Sequence, residues 1–303
     1  TGSTITVGNN GIGIYAKDAD LNLNGTTINL HGNNALGMYL EGDTNLFTGN
    51  GTIDINGQNV VLFYMDTAAG NTINNNFVVT STAGSTYTLG NIKGGAFEYT
   101  GNSVLASNGT LVTGKESAVY LDGSTVTSAA GSVNVAAIAL NDQYSGLLPL
   151  PAGMTAGIDG ENNGTIILGD GSAGIYGKNG SRISNKGAIT VGSSSAGLMT
   201  SGSGSKVLNS GMITVGTGSQ GIYLKDGISA ENLGAGNISG TGAGTIGIYA
   251  DNVTTTTVSG GNITAQNGGI ALYSGDNSTI NLSGSNILTA NQGGLLFYNY
   301  VNG

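Results

Sequence analysis

One histidine, no cysteine and 17 carboxylates bound the acid–base, nucleophilic and metal chemistry open to this chain of 303 residues. A Ser-His-Asp arrangement needs its histidine beside a poised serine and an aspartate, but His31 stands in the turn-like run NLHGNN with no such motif around it. It reads as a solvated turn residue. Cys/His metal sites are impossible with no cysteine and a single histidine. Cleavage of a glycan requires converging carboxylates, or a Lys or Arg beside an acid-bound metal. Asp18/Asp20, Glu41/Asp43 and Asp159/Glu161 are each two residues apart, and Asp54 lies in the strand-like run GTIDING, where it is expected to face outward beside Asn56. Nothing in the pattern brings a Lys or Arg from an adjacent repeat to any of them. The expectation is a chain without enzymatic activity, cofactor or metal; a polysaccharide lyase or hydrolase is the enzymatic alternative.

The elements that must carry these residues announce themselves by repetition. Ala173 to Ser195 reads AGIYGKNGSRISNKGAITVGSSS, and the next residues read AGLMTSGSGSKVLNSGMITVGTGS. The aromatic position of GIY serves as a register mark at Tyr15, Tyr39, Tyr64, Phe97, Tyr120, Leu140, Tyr176, Met199, Tyr223, Tyr249, Tyr273 and Tyr298. Most intervals are close to 24 residues, and the two long ones are read as insertions at about 66–95 and 141–160. Each interval holds up to three short strand-like runs separated by Gly, Asn, Asp or Ser, residues that suit tight turns. A unit this short cannot bury its own apolar side, but stacked copies can.

The spacing therefore predicts an all-β fold, a right-handed parallel β-helix with three strands and about 24 residues per rung and two longer loop insertions, forming one domain over 1–303. Strand alternation assigns the residue before each mark to the core, together with the position two earlier (Ile12, Leu36, Val61, Ile246, Ile270). The Ile166, Ile189, Ile213, Ile238, Ile263, Ile287 column is placed inward too, and the tyrosines outward as a stacked stripe. The motif Asn-x-Gly-x-Ile at Asn162, Asn185 and Asn209 predicts a ladder of asparagine amides. Asp18, Asp43, Asp66, Asp122, Asp142, Asp226, Asp251 and Asp276 follow the marks and make an acidic corner; turn chemistry accounts for it, with weak divalent-cation binding the alternative.

Composition narrows the partners. There are 56 glycines, 2 prolines, only 8% charged residues and a net charge of −9. Disordered chains carry more charge and proline, and collagen needs a strict Gly-X-Y period that is missing here. The 8 bases are scattered singly, which argues against nucleic acid, and no apolar run is long enough to insert into a membrane. The second insertion, NDQYSGLLPLPAGM, projects apolar side chains, so Leu147, Leu148 and Leu150 are candidate partner-binding residues; Tyr176 and Tyr223 on the stripe form a second candidate surface.

The recurrence NxGxIxVG…GIY resembles the passenger region of large Gram-negative autotransporter adhesins, the fusobacterial kind in particular. The resemblance covers essentially the whole chain as a repeat texture. It implies secretion across the outer membrane, display on the bacterial surface and binding to a host or bacterial surface protein or glycan. It also implies continuation into further β-helix and a C-terminal β-barrel. A purely structural stalk is the non-adhesive alternative.

Overall fold

The computed structural model describes residues 2–42, 46–66, 72–82, 85–144, 146 and 150–300. It is a parallel β-solenoid, with no helix among the described residues. One sheet has twelve strands, from Ile12–Lys17 to Leu295–Asn299, and so spans about eleven turns of chain. The other has eighteen. A representative turn runs along Ala173–Lys178 in the first sheet, then Arg182–Asn185 and Ala188–Val191 in the second, before Ala196–Ser201 pairs with Ala173–Lys178. The second and third runs thus lie in one hydrogen-bonded sheet. In the early turns they fuse into single strands such as Leu21–Leu30 and Leu46–Ile55, which keep a register shift near Asn24 where the later turns break.

Corners form where a residue adopts the left-handed conformation that Gly, Asn and Asp tolerate. Asn10, Asn34, Asn59, Asn108 and Asn134 have φ between 53° and 61° on entry to the twelve-stranded sheet. Asp18, Asp142, Asn179, Asp226 and Asn252 have φ between 50° and 66° on leaving it. At Asp18, Asp142 and Asp226, three of the eight aspartates of the expected acidic column, the residue thus meets a backbone requirement.

The core is one side chain thick on each wall, and where the walls approach most closely one wall has no side chain. A Cβ on Gly221 would lie 2.3 Å from Ile238 Cγ2 of the opposite wall and 2.6 Å from the Gly247 carbonyl oxygen one rung on. Gly197 and Gly247 meet Ile213 and Ile263 in the same way, at 2.5 and 2.4 Å. This corrects one predicted face. Strand Leu36–Glu41 buries Gly37 and Met38 in succession and leaves Leu36 half-exposed beside Tyr39. Because the glycine and the following residue both turn inward, alternation breaks, and the column of Ile12, Leu36 and Val61 lies outside with the tyrosines. The isoleucine column holds as predicted at Ile166, Ile189, Ile213, Ile238 and Ile263, all buried. It fails at Ile287, whose neighbour Leu288 takes the place opposite Ile263. A slip of one residue reverses every face in a strand.

Three of the marks belong elsewhere. Observed pairing carries the tyrosine column from Tyr64 through Asn91, Thr113 and Ala139 to Tyr176. Phe97 and Tyr120 sit instead in the opposite wall, 0% and 2% exposed. Phe97 fills space left by Gly90, whose missing Cβ would lie 3.3 Å from the Phe97 ring. Leu140 points inward, one residue past the mark. With the corrected register, the described residues of the predicted insertion at 66–95 are wall strands, Thr72–Ser81 and Tyr87–Lys93, in a turn of near-ordinary length. Among the described residues, the long interval of the column is the one that separates Ala139 from Tyr176.

The asparagine motif forms a buried ladder. Asn162, Asn185 and Asn209 each donate Nδ2 to the Oδ1 of the asparagine one rung on, at 2.9, 3.0 and 2.7 Å, the last reaching Asn232. The motif glycine is needed because a Cβ on Gly187 or Gly211 would lie 2.1 Å from the carbonyl oxygen of the preceding motif glycine.

Gly221→Ala is expected to lower stability by about 1–3 kcal/mol through overpacking. Gly8→Ala, where an added Cβ meets nothing within 4 Å, should leave it unchanged or slightly raised. Thermal or urea unfolding of the two variants checks this; equal effects would mean that the walls are not held at the distance described.

Candidate binding surface

The insertion at 141–160 folds back onto the wall of the solenoid. Tyr144, Met154 and Ile158 are buried against Ala96, Ala118 and Tyr120, with Leu150 half-buried beside them. Leu147 and Leu148 lie outside the described residues. Burial pushes the Tyr120 hydroxyl up to about 12, so it stays protonated, donating to Asp122 Oδ1 at 3.1 Å and accepting from Asn163 Nδ2 at 3.1 Å.

Two buried carboxylates fasten the loop. Asp159 accepts from the Tyr144 N–H at 3.2 Å, the Arg182 N–H at 2.7 Å and the Arg182 guanidinium at 3.3 Å. Glu161 accepts from the Thr155 N–H at 3.2 Å and pairs with Lys186 at 2.8 Å. Lys186 also donates to the Gly153 carbonyl at 3.1 Å. Burial raises the Asp159 carboxyl above its ordinary value, while the Arg182 N–H and guanidinium pull the other way. These contacts overturn the expectation that no base converges on Asp159 and Glu161. Arg182 and Lys186 follow the two acids by 23 and 25 residues, one repeat length, and parallel pairing of Glu161 with Ser184 brings them alongside. That spacing was the available signal. A cavity of about 220 Å³ lies under the loop, lined by Tyr144, Leu150, Ile158, Asp159 and Arg182. Its charged groups are engaged in holding the loop.

The outer face of the twelve-stranded sheet carries three parallel columns: an aliphatic or small residue, the tyrosine position, and a polar or charged residue. Tyr15, Tyr39 and Tyr64 stack with centroids 5.5 and 5.2 Å apart. Tyr223, Tyr249, Tyr273 and Tyr298 form a second stack at 4.8, 4.6 and 5.4 Å. Burial, followed by the Asp251 carboxylate, pushes the Tyr249 hydroxyl up to about 12. The Tyr249 phenol therefore remains neutral, and the stacked rings present edges and hydroxyls while their faces cover one another. Tyr176 is different. Ala139 and Met199 are its neighbours in the column, and among the described residues no ring stacks on it. The structure thus divides the two predicted tyrosines, Tyr223 within a stack and Tyr176 alone.

His31 and Asp54 meet on the exposed outer side of the other sheet, Nε2 to Oδ2 at 3.0 Å, with the Thr80 hydroxyl donating to Asp54 Oδ1 at 3.3 Å. Asp54 thus lies outward, as expected. Asp43 lies outside the described residues, and Asp122 belongs to the opposite wall. Among the described residues no three His, Cys, Asp or Glu side chains group closely enough to hold a metal ion. No protein-family model, curated protein or solved structure matches this chain.

Asp159→Ala removes the acceptor for two backbone N–H groups and leaves Arg182 without its carboxylate. The expected result is a loss of about 1–3 kcal/mol and faster proteolytic cleavage within 141–160, with the repeat core still protected. Limited proteolysis read by mass spectrometry checks it. An unchanged cleavage rate would assign the loop's attachment to Tyr144, Met154 and Ile158 alone.

Proposed function

We propose that this chain is an adhesive segment displayed outside a bacterial cell, with the outer face of the twelve-stranded sheet as its binding surface and the 141–160 loop as an accessory contact. The observation that carries this reading is the continuity of that face: three outward columns run in register from Ile12–Lys17 to Ile246–Asp251, broad enough for an extended partner to touch several rungs at once. Repetition multiplies weak contacts into avidity. The partner class is a host or bacterial surface protein or glycan. The buried acids of the loop support a non-enzymatic reading, since both are engaged with backbone N–H groups and bases rather than open to a substrate. The proposed winding is right-handed, as crossovers between parallel strands of one sheet almost always are, with the eighteen-stranded sheet folded into two of three faces. The texture of the repeat supports an autotransporter passenger that continues into further solenoid and a C-terminal β-barrel.

Beads coated with the chain should adhere to bacterial or epithelial cells. Tyr176→Ser combined with Tyr223→Ser should cut adhesion several-fold, because aromatic anchors carry a large share of contact energy. Leu147→Ser, Leu148→Ser and Leu150→Ser together should have a smaller effect. Adhesion by none of the beads would leave the chain a stalk.

A further inference from the structure

The tyrosine column is interrupted at Met199 and, over a longer run, at Asn91, Thr113 and Ala139, and the chain's unpaired bases stand beside the longer break. Six of the 8 bases pair with a carboxylate: Lys17, Lys93, Arg182, Lys186, Lys206 and Lys225. Lys115 and Lys178 have no carboxylate within ion-pair distance among the described residues, and both are exposed. Register places them in one column with Asn141 between them, two rungs or roughly 10 Å apart. The adjacent column over the same rungs reads Thr113, Ala139, Tyr176.

The surface changes character there. Toward either end the outer face is built of aliphatic residues and stacked tyrosines. Between Tyr64 and Tyr176 it narrows to Asn91, Thr113 and Ala139, flanked by Thr88, Thr110 and Ala136. Small residues between larger ones leave a trough. A groove of about 220 Å³ opens at its edge, lined by Thr86, Thr88, Asn108, Thr110 and Thr113 among others. Threonine hydroxyls and the Asn59 and Asn108 amides line this groove together with Val60, Val61 and Tyr87; across the sheet from it the trough is flanked by the column of Lys115 and Lys178, and Tyr176 follows Ala139 at its end.

From this arrangement we infer an acidic-oligosaccharide site running along the trough from Thr88 to Tyr176. Sugar hydroxyls match the threonine and asparagine row. A pyranose ring stacks on Tyr176 over Ala139, its C–H groups against the electron-rich face. Carboxylates of the sugar chain meet Lys115 and Lys178 as charge-assisted hydrogen bonds. Glu116 and Asp142, on the turns that follow Lys115 and Asn141, keep the local field near neutral. A bare polyanion therefore gains little, and the ligand is held by its hydroxyls and ring as well as by charge. The inference rests on the adhesive reading above and gives its partner a chemistry.

The test titrates the whole chain with an oligogalacturonate, a cello-oligosaccharide of equal length and poly-L-glutamate. The oligogalacturonate should bind, more weakly at high salt, and the other two should bind at least about fivefold less well. Lys115→Met with Lys178→Met, and separately Tyr176→Ser, should each weaken oligogalacturonate binding about five- to tenfold. Tyr223→Ser should leave it unchanged. These positions are on the surface, so unaltered melting certifies the fold of each variant. Equal binding of cello-oligosaccharide or polyglutamate, or unchanged binding by the lysine double variant, overturns the inference. If the parent does not bind oligogalacturonate yet still carries beads onto cells, the saccharide site falls and the adhesive reading stands. If it does neither, both fall.

Discussion

Every side chain on a wall of this molecule meets its counterpart one rung away, about 4.8 Å off. Whatever occupies a column must tolerate its own repetition. Isoleucines do so by packing, asparagine amides by donating one way along the stack, and tyrosines by covering one another's faces. Charges of one sign repel there; although Glu41 meets Asp66 and Lys93 meets Lys115 in register, several outward charges find opposite partners across rungs, as Lys17 with Glu41, Lys206 with Glu231 and Lys225 with Asp251. A chain with only 8% charged residues is the compositional consequence.

The same constraint explains the glycines. Opposite walls are so close that a methyl of the isoleucine column occupies the volume of a side chain on the facing strand. Glycine in the second place of AGIY, AGLM and QGIY is thus a packing residue, and its inward turn reverses the alternation of the strand around it. That kink moves a column of aliphatic residues to the outside, where it makes the tyrosine face broader and more apolar than a strict two-residue period allows.

Where the repeat is interrupted, the molecule departs from self-stacking. The 141–160 segment leaves the wall after Asn141 and returns at Asp159, and there the chain buries two carboxylates. The energetic logic differs from the ladders: a buried ion needs compensating partners, which Tyr144 and Arg182 supply to Asp159, and Thr155 and Lys186 supply to Oε1 of Glu161. Lys115 and Lys178 mark a second departure, beside the part of the tyrosine column where no rings stack.

The sequence by itself determined the parallel β-solenoid, its repeat length, the isoleucine column, the asparagine ladder and the outward tyrosines, because each depends on neighbours a whole number of repeats away. It misplaced Phe97, Tyr120, Leu140, Ile287 and the aliphatic column for one shared reason. A local motif such as FEY or VYL looks the same in either wall, and a single inward glycine or a one-residue slip exchanges faces without changing the text. The convergence of Arg182 and Lys186 on Asp159 and Glu161 was legible as a repeat-length spacing, yet burial turned those pairs into a fastening. Only the tertiary structure decided which wall each aromatic serves and which tyrosine stands alone, since register between strands is set by packing across the core.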